Sequence, residues 1–424
     1  MSKRLLLDTT PLRNPAYRRL WIGHGVSFTG FQITSVAVPV QVYQMTGSSF
    51  WVGVLGVVNL VPLIVFGLWG GAVADHMDRR RLLFLSSLLT WIATLGLLAQ
   101  AVLGLELLWL LMAVVALQST GFAISSPTRG AIVPRLFSVE EIPAANNLSY
   151  TFSQAATLGG PLLAGLILTR WDYSWAYALD AVLFTVMLWA AFKLPSIPPV
   201  GGPEEVRGAP GLRSVLDGLR FLWTQPVLMM SFVVDIIAMG VAMPRALFPE
   251  LADTRFGGES AVGWLFAAIG IGAVLGGLFS GWIGRVRRQG LALIVSIVLW
   301  GLAVALAGLQ HSLWAAVALL ALGGAADLVS AVFRTTILQT YAPDEMRGRI
   351  QGVFTVVVAG GPRLGDLRAG ITAVAFGAGT AWVLGGLACA VLVVLAGLAS
   401  PALLRYRPGV PHPGPEERSS EQVT

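Results

Sequence analysis

The chain has 424 residues, 55% hydrophobic and 12% charged, with a formal net charge of +6 and a mean hydropathy of +0.74. Soluble domains carry about 25% charged residues, so a soluble two-domain enzyme is excluded. At about 20 apolar residues per membrane-crossing helix, the apolar content corresponds to close to twelve helices with little left for loops.

Residues 1–19 carry Asp8, Arg13 and Pro15 and no apolar core of signal-peptide length, so they read as a cytoplasmic N-terminal segment. Apolar spans follow at 20–44, 50–74, 82–104, 107–131, 144–168 and 174–194 and predict an N-terminal six-helix bundle over 20–194. Pro195 to Gly211 holds five prolines and four glycines and reads as a flexible linker, within a cytoplasmic connection over 195–225. At its end Leu212, Val215, Leu216, Leu219, Leu222 and Trp223 recur at helical spacing, with Arg213, Asp217 and Arg220 facing away. That pattern predicts a short helix in the membrane interface; the alternative is an early extension of the seventh span. Spans at 226–250, 261–284, 290–310, 313–338, 349–376 and 378–403 predict a C-terminal six-helix bundle over 226–404, and 405–424 reads as a disordered cytoplasmic tail.

The basic residues orient these spans. Of 28, Arg170 and Arg255 alone fall in connections on one side, Arg245, Arg363 and Arg368 fall within spans, and the other 23 fall on the side of the N-terminus. Positive charge marks the cytoplasmic side, so both termini are expected there, in the cytoplasmic (inner) membrane. Topology accounts for the net charge, and no basic stretch is interleaved with aromatics for a nucleic-acid partner. The single cysteine, Cys389, excludes disulfide frameworks and cysteine metal sites. His24, His76, His311 and His412 form no ligand pair, and neither Lys3 nor Lys193 follows a glycine, so no phosphate-binding GxxxxGK(S/T) loop exists. No metal and no cofactor is expected.

The two halves repeat. Asn14-Pro15 and Gln225-Pro226, Pro39 and Pro249, Val52-Gly53 and Val262-Gly263, and Gly67 and Gly71 with Gly277 and Gly281 lie about 210 apart. Arg129 with Arg334 and Glu140 with Glu345 lie 205 apart, and Pro161 with Pro362 lies 201 apart. Parallel six-helix halves of this kind are used by secondary transporters, with the substrate site between them near the midplane.

Motifs within this frame carry a resemblance. The connection after the second span reads Gly71-Ala-Val-Ala-Asp75-His-Met-Asp78-Arg79-Arg80-Arg81. It resembles the signature loop of the major facilitator superfamily, Gly-x-x-x-Asp-(Arg/Lys)-x-Gly-(Arg/Lys)-(Arg/Lys), with Asp78 in place of the glycine. The second copy, Gly281 to Arg288, has Arg285 where the aspartate would stand. Gly159-Gly160-Pro161-Leu-Leu-Ala-Gly165 is similar to the Gly-Pro-x-x-Gly motif associated with exporters. Ala37-Val38-Pro39-Val40-Gln41 with Met45-Thr46, Phe248 to Asp253, and Leu338 to Ile350 resemble the bacterial enterobactin (siderophore) exporter group, over about residues 10 to 400. That group also contains macrolide and multidrug exporters.

The resemblance implies an all-α membrane fold of twelve helices in two parallel six-helix bundles, and a secondary active exporter rather than an enzyme. It implies proton antiport of a small molecule, with a siderophore as the expected substrate. Multidrug or macrolide efflux is the alternative, followed by a solute/proton symport importer. The partners it implies are that small molecule, protons and the lipid bilayer, for a chain acting as a monomer. By the same resemblance Asp75 would latch one face against the positive dipole end of span 11, near Gly348 to Gly352. Gly71 and Arg79, with Gly160 and Pro161 in span 5, complete the candidate gating set.

Charge inside a bilayer is costly, so each ionisable residue within a span is a functional candidate. Asp366, Asp235 and Asp327 are candidates for proton coupling, and Arg363 is a candidate anion contact; permanent structural pairs such as Arg363 with Asp366 are the alternative. Arg245, Arg334 and Arg368 are the other charges of the second half, while Asp180, the one such group of the first half, reads as structural. Gly360-Gly361-Pro362 in mid-span predicts irregular backbone, which belongs only where it lines a cavity or is buried in protein. Ser27, Phe31, Thr34, Val38 and Gln41 share a face of span 1, and Asn59, Gln118, Asn146 and Gln154 add polar groups for a bulky amphipathic ligand. Interhelical hydrogen bonds are the alternative use of those groups. Met239, with Met229, Met230 and Met243, is a candidate for an adaptable cavity wall or for ordinary packing.

Overall fold

In lipid every backbone polar group must be satisfied internally, so apolar spans of this length fold as helices. The computed structural model describes residues 8–74, 77–138, 141–198, 212–341 and 344–407, and among them there is helix and no strand. In the first half α1 is Pro15–Thr46, α2 Ser49–Ala74, α3 Arg79–Val102, α4 Leu108–Ile132, α5 Ile142–Arg170 and α6 Tyr173–Phe192. After α7, Leu212–Thr224, the second half has α8 Pro226–Ala242, α9 Phe248–Thr254, α10 Glu259–Leu278, α11 Gln289–Gly308, α12 Leu313–Tyr341, α13 Asp344–Phe376 and α14 Ala378–Ala399.

Among the described residues ten spans are long and apolar enough to cross a membrane: α2 to α6, α8 together with α9, α10, α11, α12 and α14. At 32 and 33 residues, α1 and α13 are the longest described helices. At 1.5 Å per residue each exceeds the roughly 30 Å hydrocarbon thickness; polar residues, not length, set these two apart.

Local chemistry fixes the ends. Asn14 caps α1 through its side-chain oxygen, which accepts from the N–H groups of Ala16 (3.0 Å) and Tyr17 (3.3 Å), with Pro15 at the first helical position. Gly47, at φ +62°, closes α1 in the left-handed conformation that suits glycine. Asp172 caps α6 by accepting from Ser174 N–H at 2.8 Å.

Each half packs in one pattern. In the first, α1 lies against α5 and α6, α4 against α2 and α3, and α3 against α6. In the second, α8 takes the place of α1, α10 of α2, α11 of α3, α12 of α4, α13 of α5 and α14 of α6, and the corresponding pairs are in contact. Between the halves, α2 packs on α13 and α5 on α10, two contacts that the repeat maps onto each other. The starts of α1, α3 and α11 and the end of α14 share one face of the bundle, called here the terminal face.

Three expectations change. Span 1 begins at Pro15, not near residue 20, with Tyr17 and Leu20 already buried. Span 7 is not continuous: α8 stops at Ala242, Met243 is extended (φ −63°, ψ 118°), and a 3-10 turn over Arg245–Leu247 leads into α9. The break falls at Met243-Pro244, where the proline disfavours helical backbone at the residue before it. The irregular backbone expected at Gly360-Gly361-Pro362 is absent, since α13 runs unbroken through Pro362. Membrane helices tolerate an internal proline when neighbouring groups satisfy the freed backbone, and Pro39, Pro62, Pro127 and Pro161 likewise lie inside continuous helices. The predicted linker helix is present as α7 and is separated from α8 by extended Gln225 (φ −118°, ψ 90°). It buries Leu222 against α8 and α13 and leaves Trp223 72% exposed.

Candidate substrate cavity

A cavity of about 160 Å³ lies between the halves at mid-depth. The first half contributes Phe31, Gln32, Thr34, Ser35, Val38 and Pro39 from α1, Gly56 and Asn59 from α2, Gln118 from α4, and Thr157 and Pro161 from α5. The second half contributes Arg245 and Ala246 from the break after α8, Phe266 from α10, and Arg363 and Asp366 from α13. Of the sequence candidates, Phe31, Thr34, Asn59, Gln118, Arg363, Asp366 and Pro161 therefore come together. The broken backbone of span 7 lines the cavity, a setting in which a membrane tolerates it.

The wall on the first half rests on a buried polar network. Gln118 Nε2 donates to Thr94 Oγ1 at 3.0 Å, and Thr34 Oγ1 donates to Asp180 Oδ2 at 2.7 Å. Asn59 Oδ1 accepts from the Ser119 hydroxyl at 2.5 Å. The Phe31 ring stacks between Phe28 (6.1 Å, 18°) and Phe122 (5.1 Å, 6°), which gives the cavity one aromatic flank. Gln41 lies outside the lining. It exchanges two hydrogen bonds with Gln100, at 3.2 and 3.0 Å, and accepts from the Tyr177 hydroxyl at 2.7 Å. Gln154 is half-buried on α5, also outside the lining, and Met239 is packed between α8 and α13 against Gly361 and Gly365.

Behind the other wall runs a series of alternating charges. Asp235 of α8 and Arg334 of α12 form the one ion pair within 4 Å among the described residues, both buried. The Arg334 guanidinium also lies over the Phe354 ring at 5.7 Å. Asp327, half-buried two turns before Arg334, is acted on by the charges of Arg334 and Arg245. Asp366 is acted on by Arg363, Arg245 and Arg368. Arg363 and Asp366 share the cavity without closing into an ion pair. Arg368 turns toward α14, where Nη1 approaches the carbonyl of Ala381 at 3.5 Å. Two guanidiniums and one carboxylate thus reach the cavity, a net positive site facing an aromatic and amide wall.

The halves meet most tightly away from the terminal face. A Cβ on Gly53 would meet the carbonyl oxygen of Asp366 at 2.6 Å, and one on Gly263 would meet that of Pro161 at 2.6 Å. These two glycines are equivalent in the repeat, and Gly56, one turn after Gly53, comes closer still, 2.4 Å from the carbonyl oxygen of Arg363. Gln44 Nε2 donates to Glu259 at 2.6 Å, and the Ser49 hydroxyl donates to Glu250. Both bonds cross between the halves at the same end.

The family model for transmembrane secretion effectors matches residues 8–408. The chain belongs to that family. Curated relatives named enterobactin exporter EntS, from Shigella boydii serotype 18 and from Escherichia coli, are each 32% identical over 378 residues, covering 87% of this chain and 89% of theirs. Among solved structures, a POT family transporter in complex with 5-aminolevulinic acid superposes with a TM-score of 0.74 at 12% identity, over 92% of this chain and 97% of that one. The nucleoside transporter NupG superposes with a TM-score of 0.72 at 15% identity, over 92% of this chain and 100% of that one. The fold is therefore that of the major facilitator transporters. This secretion-effector family member is a multi-pass membrane transporter of a small molecule, and not an enzyme.

In this family member the candidate gating loop is only partly described. Gly71 belongs to α2, and Asp75 lies outside the described residues. Beyond it Asp78 caps α3, accepting from the N–H groups of Arg80 (2.8 Å) and Arg81 (3.4 Å) and from the Ser196 hydroxyl. Burial opposes ionisation of Asp78, but the hydrogen bonds from Ser196 and from the Arg80, Ile197 and Arg81 N–H groups outweigh it and hold its pKa below the usual carboxylate value. Arg79 donates to the Ala131 carbonyl at 3.0 Å and Arg80 to that of Phe192 at 2.6 Å, so the loop is bolted to the ends of α4 and α6. Gly160 lies against Gln32 of α1. Sequence reasoning did not place Arg245 in the cavity; Met243-Pro244 just before it was the signal. It also missed Gln44, Ser49, Glu250 and Glu259, because a cross-half contact leaves no local pattern.

Proposed function

We propose that the protein exports a siderophore across the cytoplasmic (inner) membrane by proton antiport, as a monomer with both termini in the cytoplasm. The observation that carries this reading is the cavity itself, with Arg245, Arg363 and Asp366 on one wall and Phe31, Asn59 and Gln118 on the other. The name of its curated relatives, enterobactin exporter, supports the substrate class. Of the 23 basic residues read onto the terminal side, Arg334 lies inside α12 paired with Asp235, and the other 22 support the orientation.

A siderophore is rich in oxygen donors. In the cavity its acceptor oxygens take hydrogen bonds from Arg245 and Arg363, and its hydroxyl groups donate to ionised Asp366. A proton arriving at Asp366 from outside removes that acceptor and releases the ligand outward, so proton and substrate exclude one another. Asp235 and Asp327 carry the charge change into the second half through Arg334 and Arg245. At about 160 Å³ the cavity is smaller than the ~300–1,000 Å³ typical of ligand pockets. The ligand therefore enters when the halves part at the terminal face, with Gln44–Glu259 and Ser49–Glu250 closed outside and Asp75, Arg79 and Gly71 acting at the inner gate. Rocking of the halves then opens the outer end.

The aromatic flank of Phe28, Phe31 and Phe122 favours a second reading, efflux of apolar drugs or macrolides. Proton flux in proteoliposomes with a siderophore panel against a drug panel separates the two. Siderophores, and not drugs, are expected to drive flux, with at least a tenfold loss in Asp366→Asn. Full proton-coupled export by Asp366→Asn would remove Asp366 from the mechanism.

A further inference from the structure

Asp180 of α6 is 1% exposed, and the exchange mechanism above does not use it. Its polar neighbours lie at one oxygen: Thr34 Oγ1 donates to Oδ2 at 2.7 Å, and Thr94 Oγ1, whose shorter bond is to the Thr90 carbonyl at 3.1 Å, lies 3.5 Å from the same atom. Oδ1 is buried without a partner and lies against Gly30, where a Cβ would collide with it. Asp235, Asp327 and Asp366 of the second half each have a guanidinium acting on them, whereas among the described residues Asp180 has hydroxyl partners alone.

Its surroundings bear this out helix by helix. Tyr177, one turn earlier on α6, is engaged with Gln41. On α1, His24 and Tyr43 stand ten and nine residues from Thr34, about 15 Å along the axis. On α3 the charged residues are Arg79 to Arg81, at least thirteen residues from Thr94, about 20 Å away. Arg170, the charged group of α5, ends that helix just before α6 begins, and Asp172, the cap of α6, stands eight residues before Asp180, about 12 Å along the axis. An ionised carboxylate held mainly by the Thr34 hydroxyl, with a bare oxygen in a desolvated site, is costly; the neutral acid avoids most of that cost.

The site is nevertheless connected to the cavity. Thr34 both lines the cavity and donates to Asp180. Gln118 lines it too and reaches Asp180 through Thr94. A hydroxyl can take a proton from cavity water at Oγ1 while passing its own proton to the carboxylate, so Thr34 is a single-residue relay.

We propose that Asp180 is a second proton-binding site, in the first half of the molecule, loaded and emptied from the central cavity through the Thr34 hydroxyl. Its place in the transport cycle rests on the antiport reading; its proton binding does not. In the full-length protein in nanodiscs, pH-difference infrared spectroscopy reads the C=O stretch of protonated carboxyl groups with no substrate present. The expected result is a band lost on raising the pH, missing in Asp180→Asn and retained in Asp366→Asn. Thr34→Val is expected to slow hydrogen–deuterium exchange of that band at least tenfold, and Thr34→Ser, which restores the hydroxyl, to recover it. An unchanged band in Asp180→Asn, or unchanged exchange in Thr34→Val, would overturn the proposal, and the Thr34 pair decides should Asp180→Asn fail to fold. In proteoliposomes with iron-free enterobactin as probe, Asp180→Asn is expected to lose transport driven by a pH gradient at least tenfold more than exchange at equal pH. Wild type moving no protons with enterobactin while the band persists would remove the antiport reading and leave the proton site standing.

Discussion

At the scale of residues, a buried charge must have its compensation built in. Removing one partner of a buried pair strands the other, at a cost of about 3–5 kcal/mol, while replacing both with apolar groups of similar volume is often neutral. Arg334→Met is therefore expected to lower the Tm in detergent sharply by stranding Asp235, and Asp235→Leu with Arg334→Met to recover most of the loss; additive losses would show that the two residues do not act as a pair. Asp78 shows the same logic at the surface. Its pKa is held below the usual carboxylate value, so its stabilising contribution is present above the unfolded-state pKa and fades as pH falls through the folded one. The charged residues themselves were legible in the sequence as interruptions of apolar spans. Their pairing was not: Asp235 and Arg334 are 99 residues apart, and only packing of α8 on α12 joins them.

At the scale of elements, caps and prolines decide where helices begin and fail. Asp78→Ala removes the cap of α3 and is expected to cost about 1 kcal/mol, read as a lowered Tm; Asp78→Asn, which also caps well, is expected to restore most of it. Pro39, Pro62, Pro127, Pro161 and Pro362 all lie inside continuous helices, whereas Pro244 ends one. A Cβ before the proline does not decide between them, since Val38, Val61 and Ser126 carry one and their helices continue. Both dipeptides stood in the sequence, but the expectation placed the irregular backbone at Gly361-Pro362 and not at Met243-Pro244. Pro244→Ala is expected to fuse α8 with the turn after it and carry Arg245 out of the cavity. Siderophore transport then falls at least tenfold in a protein that still purifies as a folded species; unchanged transport would show that the break has no role in the site.

At the scale of the whole molecule, the sequence repeat carried most of the architecture. Matches about 210 and 201 residues apart, set out along apolar spans, already implied two parallel halves, and the packing is duplicated helix for helix. The halves touch through the glycines of that repeat, Gly53 against α13 and Gly263 against α5. The substrate cavity was legible only in part: α1, α2, α4 and α13 were foreseen as contributors, while the Arg245 turn and the Asp180 network needed the fold to bring distant residues together. Exchange of proton for substrate across these halves is the central claim. It is tested most directly in acid-loaded inside-out vesicles containing the full-length protein, by following lumenal pH as iron-free enterobactin is added outside. Antiport predicts that the lumen becomes less acidic as enterobactin accumulates in it. A lumen that acidifies further, or uptake of enterobactin with no change in lumenal pH, would contradict it.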